Sequence, residues 1–386
     1  MLIQCTKALL DQLGIKNSEL HPPEGHEQFP NSFMAWHANF ATIDRKKVIV
    51  LMNNETRYSI VIYRPSKKDF SKINELIPEA IITALRMEGI RKEVIEAYME
   101  KAGAITFSKT ASKSIVGKMN NAVREIEFTQ EYLDKKIRIQ RYISMITGRF
   151  IQLSGNNPGF YPIEKMLECL SLIYGQEGHH EVVEDVLAID LYQLKIKIKL
   201  ECHEIWRQVL VPSTYSFRHL HNIIQTVFDW QNAHLHEFVV ERAKRKDLKI
   251  VMDDDPETME YLNFDEFEIR QERLVALEEI FPTYGEVVYE YDFGDSWEHT
   301  ITLEKIVKSN EFRATFVEGI GERPPEDVGG EGGYEEYLRI MADVNHPEHE
   351  DMKEWSDNQK ERNIRKEKIN HRLKQVIKGY HFSHFL

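Results

Sequence analysis

Cysteine is scarce in this chain of 386 residues, with only three copies at widely separated positions. An odd, sparse count argues against a disulfide framework and against a zinc site built from cysteines. Long apolar runs are also missing, so no segment is predicted to span a membrane. The first ten residues lack the basic lead-in, apolar stretch and cleavage site of a secretory signal. We therefore expect a cytoplasmic protein without a membrane partner.

Motifs that identify common catalytic chemistry are missing as well. The sequence has no His-Glu-x-x-His zinc motif and no Gly-x-Ser-x-Gly nucleophile elbow. Its glycine-rich segment near residue 330 lacks the Lys-Ser/Thr pair of a phosphate-binding P-loop. These absences favour a binding function over a familiar catalytic one.

Charge is distributed unevenly along the chain, whose net charge is −13. Residues 1–186 carry 24 basic and 23 acidic side chains, whereas residues 187–386 carry 26 and 40. A strongly acidic half repels phosphate backbones, so nucleic acid could bind only through the first half. The basic residues there are clustered, and a solvated face is the alternative interpretation. The candidate nucleic-acid contacts are Arg45, Lys46, Lys47, Lys113, Lys118 and Arg138.

The order of predicted elements divides the chain into three segments. Residues 1–124 alternate strand and helix patterns, which predicts an α+β domain. Residues 125–187 are predicted to be a helical connector, in which Thr129–Phe150 forms an amphipathic helix. Residues 188–386 begin with strands and end with helices, so the predicted fold class of the whole chain is α+β.

The third segment opens with a regular strand pattern. Apolar and polar residues alternate strictly over Tyr192–Leu200, and Trp206–Val211 follows as a second strand. A helix is predicted over Phe217–Phe228 and a third strand over His236–Val240. Two strands, a helix across the sheet and another strand are the order of a β-grasp, or ubiquitin-like, core.

A long hairpin is predicted around Tyr291–His299, which has the sequence Tyr-Asp-Phe-Gly-Asp-Ser-Trp-Glu-His. A three-residue loop, Gly294–Ser296, pairs Tyr291 with His299 and places the aromatic groups on one face. A two-residue loop would mix the faces, so the longer loop is preferred.

The predicted register sets Asp292 opposite Glu298. Like charges directly opposed are unfavourable unless solvent, a cation or a cationic side chain compensates them. A salt bridge from Arg207 on a neighbouring strand is one way to do so, and a ligand contact through its guanidinium is the other interpretation of that residue.

Five stretches of the second half resemble, in order, the plasmid pRiA4b ORF-3-like family, also described as insertion-element passenger, resolvase-like proteins. They are Ile205–Arg207 with Val211–Pro212, Leu220–His221 with Ile224–Gln225, Trp230 with His234–Phe238, Tyr291–His299, and Pro324–Gly330 with Gly333–Tyr334. The resemblance covers residues 188–355. It implies an association with plasmids or mobile elements, but no recombinase chemistry. The first segment is similar to a domain of unknown function that is often fused to this family.

The polar residues of these stretches are the candidate site. The candidate ligand-binding residues are Arg207, His234, His236, Asp292, Asp295, Trp297, His299, Glu326 and Asp327. Histidines two positions apart on a strand share a face, and imidazoles beside carboxylates can hold a divalent metal ion. The candidate metal ligands are His234, His236, Asp292, Asp295 and His299. Local hydrogen bonding is the alternative interpretation of these histidines.

The glycine-rich, acidic loop Arg323–Tyr334 is expected to cover the hairpin, because its backbone can approach closely. We therefore expect a binding module for a protein or a small polar ligand. One alternative is a metal-dependent hydrolase with Glu298 or Glu326 as general base. The other is a nucleic-acid-binding protein that acts through the first half. A divalent metal ion is the one cofactor that these residues could hold.

Overall fold

The structure is a computed structural model that describes residues 1–21, 32–110, 113–154, 157–175, 186–243, 245–252, 266–357, 359 and 364–378. Contacts divide the chain into two compact units, Met1–Ile189 with Asn310–Phe312, and Asp190–Ser309 with Arg313–Leu386. Both units contain helices and strands, which confirms the predicted α+β class. In the part of the chain that is described, no helix has the length and apolar character needed to cross a membrane.

A six-stranded sheet in the order β5-β1-β2-β3-β4-β6 is the centre of the first unit. Its strands are β1 Leu2–Cys5, β2 Ala35–Ile43, β3 Lys46–Asn53, β4 Ser59–Tyr63, β5 Thr106–Lys109 and β6 Ile139–Gln140. The helices are α1 Lys7–Leu13, α2 Lys67–Ser71, α3 Ile73–Met87, α4 Lys92–Ala102, α5 Lys113–Phe128, α6 Arg141–Thr147 and α7 Pro162–Gly175. A separate two-stranded ribbon pairs β7 Gln152–Ser154 with β8 Asn157–Phe160.

Helices cover both faces of this sheet. Ile49 and Leu51 of β3 face one buried cluster, to which α3, α4 and α7 contribute. Val48 and Val50 face a second cluster with α5 and α6. Successive strand residues point to opposite faces, so an apolar run is buried throughout when both faces are covered.

The predicted helix Thr129–Phe150 is wrong. A 3-10 turn, strand β6 and the short helix α6 occupy this stretch instead. The buried amide of Gln140 accepts from the Asp134 N–H at 2.8 Å and donates to the Ile137 carbonyl at 2.7 Å. These bonds hold a tight loop before β6, which pairs with β4. Residues 139–147 therefore pack in the first unit, while the three-segment division stays a prediction.

The second unit contains an eight-stranded sheet in the order β13-β12-β11-β14-β15-β9-β10-β16. Its strands are β9 Ile189–Ile198, β10 Ile205–Pro212, β11 His236–Val240, β12 Leu248–Val251, β13 Glu268–Gln271, β14 Glu286–Tyr291, β15 Trp297–Ser309 and β16 Thr315–Ile320. The helices are α8 Phe217–Phe228, α9 Phe281–Tyr284, α10 Gly330–Ala342, α11 His349–Asp357 and α12 Lys366–Lys378.

Helix α8 is predicted with the correct bounds, because its apolar stripe has a clear helical period. Leu220, Ile223 and Ile224 on that stripe are fully buried. The Ser216 N–H is bonded to Nδ1 of His219, three residues on, which gives the first turn a capping contact. Two strands precede α8 and a third follows it, as the sequence predicts. The β-grasp assignment stays a prediction.

The hairpin β14–β15 has a different register from the predicted one. Tyr291 pairs with Trp297 and Tyr289 with His299, so the loop has five residues, Asp292–Ser296, and the predicted register is wrong by two. Side chains alternate with period two, and a shift of two leaves each residue on its predicted face. The four aromatic and histidine side chains are accordingly all buried.

The opposed acids of the hairpin are Glu290 and Glu298, not Asp292 and Glu298. Each of them has a separate partner. The Ser296 hydroxyl donates to Glu290 at 2.8 Å, and the Lys199 ammonium lies 2.7 Å from Glu298. The repulsion is therefore relieved at the surface, without Arg207.

The predicted glycine-rich loop is shorter than expected, since α10 begins at Gly330 and not at Tyr334. Gly333 lies in the first turn of this helix, where a β-carbon would lie 1.8 Å from the Val328 carbonyl oxygen. The glycines therefore allow the preceding chain to lie against the helix, and they do not prevent a regular element.

Candidate functional site

Asp292 builds the turn of the β14–β15 hairpin. One of its carboxylate oxygens accepts from the N–H groups of Gly294 and Asp295 at 2.9 and 3.3 Å. Its carbonyl accepts from the Ser296 N–H at 2.6 Å. Asp292 has φ of 61°, a left-handed conformation that aspartate tolerates better than most residues. These bonds fix the side chain and leave its second oxygen, Oδ2, for another contact.

That contact is His234, which lies just before β11. The His234 Nε2 atom is 3.6 Å from Asp292 Oδ2 and 3.1 Å from Asp327 Oδ1. One nitrogen and two carboxylate oxygens of these residues all lie within 4.8 Å of one another. We call this set the His-Asp-Asp site. The side chain of Asp292 is 10% exposed and that of Asp327 is 68% exposed, so the site is open to solvent on one side.

Glu326 lies behind the His-Asp-Asp site and is almost completely buried. Its carboxylate accepts from the Gln231 N–H at 2.5 Å and from the Tyr291 hydroxyl at 3.4 Å. The second of its oxygens is 3.8 Å from His234 Nε2. Burial raises the pKa of this carboxyl, against the opposing effect of the Gln231 N–H. Glu326 therefore takes up a proton more readily than an exposed glutamate.

Asp295 holds the following loop and does not belong to the His-Asp-Asp site. Its Oδ2 atom accepts from the Gly329 N–H at 3.1 Å. The next residue, Gly330, lies so close that a β-carbon there would be 2.7 Å from the Asp295 carbonyl. The segment before α10 is thus attached to the hairpin turn through main-chain contacts.

His236 lies two residues after His234 but has different surroundings. It is completely buried, and its Nε2 atom is 2.9 Å from the Glu272 carboxylate. Its ring stacks on that of His221 with centroids 3.5 Å apart. Glu272 also accepts from Arg218 at 2.7 Å. We call His221, His236, Glu272 and Arg218 the buried histidine network. His236 belongs to this network and not to the His-Asp-Asp site.

The pKa values of this network are strongly shifted. Burial, and then the charge of His236, lower the pKa of His221 well below its usual value. Burial alone would raise the pKa of Glu272, but the charge and hydrogen bond of His236 outweigh it and the pKa is lowered. The network therefore favours a charged Glu272 and a neutral His221.

Trp297 and His299 form part of the core below the site. His299 is completely buried and its Nδ1 atom bonds the Trp297 carbonyl at 2.8 Å. Burial lowers the pKa of His299 to about 4. The Trp297 ring lies 5.9 Å from that of Trp230, and both are buried. The structure thus places these two candidate residues in the core and not on the surface of the His-Asp-Asp site.

Arg207 is also buried, and it has neither the predicted salt bridge nor a place at the His-Asp-Asp site. Its guanidinium donates to the carbonyls of Val227 and Ile320 at 3.0 and 2.8 Å. The same group lies 4.7 Å from the ring centre of Phe228. Burial, with repulsion from Arg323, lowers the pKa of Arg207 to about 10. Main-chain carbonyls and an aromatic ring therefore surround this buried cation.

Arg323 is a second buried cation with main-chain carbonyl and aromatic partners, and it was not among the predicted residues. It is fully buried, donates to the Asp229 carbonyl at 2.8 Å and lies 4.7 Å from the ring centre of Trp230. The sequence gives little sign of this, because an arginine before two prolines follows no period. It fixes the chain just before Glu326 and Asp327.

The basic residues of the first unit lie on several elements. Arg45, Lys46 and Lys47 are exposed at the β2–β3 turn, while Lys113 and Lys118 belong to α5. Arg138 is paired with the buried Asp69. The pKa of Lys118 is lowered by partial burial and by the charge of Arg57.

Comparison with known proteins gives related families for both halves. A family model described as "Plasmid pRiA4b ORF-3-like protein" matches residues 190–371, and one described as "Domain of unknown function (DUF6933)" matches residues 2–165. The chain is 31% identical over 166 residues to "Uncharacterized protein y4hQ" of Sinorhizobium fredii, which covers 42% of this chain and 79% of that relative.

Among solved structures, the chain is similar to a protein of unknown function, MM3350, from Methanosarcina mazei. The two are 34% identical with a TM-score of 0.40, over 46% of this chain and 97% of that one. All residues of the His-Asp-Asp site lie within the first family match. Residues 2–165 match the DUF6933 model, and the chain belongs to the plasmid pRiA4b ORF-3-like family through residues 190–371.

Proposed function

We propose that the second unit is a binding module whose His-Asp-Asp site takes up a divalent metal ion. The observation that carries the proposal is the convergence of one imidazole nitrogen and two carboxylate oxygens within 4.8 Å. Donor atoms bound to one zinc ion at ordinary lengths in tetrahedral geometry lie about 3.3 Å apart. The two distances from His234 Nε2, 3.1 and 3.6 Å, bracket this value.

The donor set narrows the choice of ion. Imidazole nitrogen suits zinc and related transition metals, while carboxylate oxygen also suits manganese. Three protein ligands leave a metal ion room for a further ligand when one side of the site is open. Here the exposed Asp327 lies on that open side. A small polar molecule or a carboxylate of a partner protein would then bind through the ion.

Metal content and thermal unfolding of the full chain test this proposal. After EDTA treatment and dialysis, zinc or manganese should bind at one ion per chain and raise the melting temperature of the second unit. Asp292→Asn and Asp327→Asn should weaken binding at least tenfold, because each replaces an anionic ligand with a neutral amide. Asparagine also tolerates the left-handed backbone of both positions.

Asp295→Asn is the matched control. It makes the same chemical change in the same turn, but Asp295 contacts the Gly329 N–H and not the site. Its metal affinity should stay within about twofold of the parent. If neither ion binds the parent chain and no melting temperature moves, His234 is simply an ion-paired surface residue and the proposal fails.

A metal-dependent hydrolase is the second candidate, because Glu326 lies 3.8 Å from His234. A buried carboxyl with a raised pKa beside an open metal site suits a general base. Glu298, the other predicted base, pairs with Lys199. Turnover of an amide or phosphodiester that is lost both on chelation and in Glu326→Gln would support this candidate. Metal binding without such turnover would leave the binding module alone.

The finer architecture and the cellular setting belong to the same proposal. In the sheet, β9 lies between β10 and β15, which supports the β-grasp assignment. Lys199 contacts Glu298 and Gln193 contacts Glu304, so β9 and β15 run in opposite directions. The likeness to ubiquitin is therefore in the order of the elements and not in the direction of these two strands. The family description supports an association with mobile elements, and the sparse cysteines support a cytoplasmic setting.

A further inference from the structure

A second concave surface lies in the same unit, between helices α10 and α11. It is a cleft of about 510 Å³. Tyr337 of α10 and Met352 and Trp355 of α11 form its floor. Clefts between about 300 and 1,000 Å³ are the ordinary size for small-molecule sites. The surface is therefore large enough to hold a small ligand on a side that is open to solvent.

The aromatic side chains of the floor pack against one another. The Tyr337 and Trp355 rings meet edge to face with centroids 6.3 Å apart. Tyr334 stacks on Tyr337 from within the same helix, at an angle of 15°. Tyr337 is buried, while Met352 and Trp355 are partly exposed to the cleft. An occupant would thus find a preformed apolar and aromatic surface.

The rim of the cleft is acidic. Asp327, Glu336, Glu348 and Asp351 surround the floor, and none of the described residues that line it is basic. Glu336 pairs with Arg339 on its own helix. Glu348 and Asp351 are three residues apart and so lie on one side of the chain at the start of α11. All four acids are exposed, and their charges face a common space.

We propose that this cleft binds an aliphatic polyamine. Ammonium groups would pair with the rim carboxylates, and the methylene chain between them would lie on Tyr337, Met352 and Trp355. An ammonium over an aromatic face contributes about 0.5–2 kcal/mol in known cases, depending on its exposure. Arg339 pairs with Glu336 and His234 lies beside Asp327. A single ammonium would leave Glu348 or Asp351 uncompensated, so two or more amines separated by a flexible apolar chain fit the surface better.

The proposed metal site and this cleft share only Asp327. The inference goes beyond the proposed function and does not depend on it. Spermidine binding in the presence of EDTA, and its persistence in Asp292→Asn, would show that the two sites act separately. Loss of spermidine binding in Asp292→Asn would contradict this assignment, because Asp292 does not line the cleft.

Titration calorimetry of the full chain with spermidine tests the inference, with butylamine and magnesium at matched ionic strength as comparisons. Spermidine should bind at least tenfold more tightly than either. The double variant Glu348→Gln/Asp351→Asn should weaken spermidine binding at least tenfold, and Trp355→Leu, which keeps an apolar floor but removes the aromatic face, about threefold or more. Glu354→Gln, on α11 outside the cleft, should change the affinity less than twofold.

Three outcomes would overturn the inference. Spermidine that binds no better than magnesium would indicate a diffuse acidic surface. Equal weakening of spermidine binding by the double variant and by Glu354→Gln would indicate the same. Binding of a lysine-rich peptide without binding of spermidine would assign the cleft to a protein partner.

Discussion

His234 and His236 are separated by one residue, yet they belong to different parts of the second unit. His234 keeps 28% of its side chain exposed and has carboxylates from Asp292 and Asp327 beside it. His236 is completely buried and is held by Glu272 and the stacked ring of His221. The first can meet a ligand from solvent, and the second can only support the fold.

The difference comes from where the strand begins. Residues i and i+2 share a face only within a strand, and β11 starts at His236. His234 lies in the preceding turn, where the chain direction changes, so the two side chains separate. Spacing alone therefore does not make a histidine pair a metal site. Of the predicted metal ligands, His236, Asp295 and His299 lie outside the His-Asp-Asp site, which contains Asp327 instead.

The largest expected effect concerns the buried side of this comparison. Glu272→Ala should reduce the free energy of unfolding of the second unit by about 3–5 kcal/mol, because it leaves His236 and Arg218 without their shared carboxylate. Urea unfolding followed by tryptophan fluorescence measures this, since four of the five tryptophans belong to that unit.

Glu298→Ala is the control for Glu272→Ala. Glu298 pairs with Lys199 at the surface, where its side chain is 40% exposed, and its loss should cost less than about 1 kcal/mol. Similar losses in the two variants would mean that the buried histidine network contributes no more than a surface ion pair. The contrast between the two histidines would then be one of position only.

Local patterns of the sequence predict much of the fold. Helix α8 and strand β11 have the predicted bounds, because short-range periodicity defines them. The hairpin shows the limit of such patterns. Alternation fixes which face each residue occupies but not how many residues form the loop, and here the side chain of Asp292 stabilises a longer one.

The next expected effect is the response of the buried histidines to acid. The unfolded chain protonates His299 below about pH 6.5, whereas the folded chain protonates it only near its pKa of about 4. In that window the unfolded state binds more protons, so stability falls as the pH falls. The loss from His299 is on the order of 3 kcal/mol between pH 7 and 4, and the lowered pKa of His221 adds to it.

Urea unfolding between pH 7 and 4 measures this dependence, and His299→Gln should make its slope smaller by about one proton. Glu326 acts in the opposite sense, because its raised pKa means that the folded state takes up a proton first. Glu326→Gln should therefore make the acid loss steeper. A profile for His299→Gln that is parallel to the parent's would show that His299 is protonated equally in both states.

The candidate site was harder to predict from the sequence than the fold. His234, Asp292 and Asp327 come from three turns that are far apart in the chain, and no period connects them. The motif around Tyr291–His299 contains Asp292 of the site, but its His299 is buried in the core and its Glu298 pairs with Lys199. Arg323 and Glu272 were not found because a buried charge depends on partners that only the folded chain supplies.

The smallest effect on stability is expected for the exposed side of the comparison. His234→Gln should change the free energy of unfolding by less than about 1 kcal/mol without metal, since its nearest partner, Asp327, is solvated and Asp292 keeps its hydrogen bonds within the hairpin turn. With zinc at about a hundred times its dissociation constant, the parent should gain about 2.7 kcal/mol and the variant almost none. Two unfolding curves for each protein, with EDTA and with zinc, separate these effects. A variant that is as strongly stabilised by zinc as the parent would place the ion elsewhere, while a large loss in EDTA would make His234 structural, like His236.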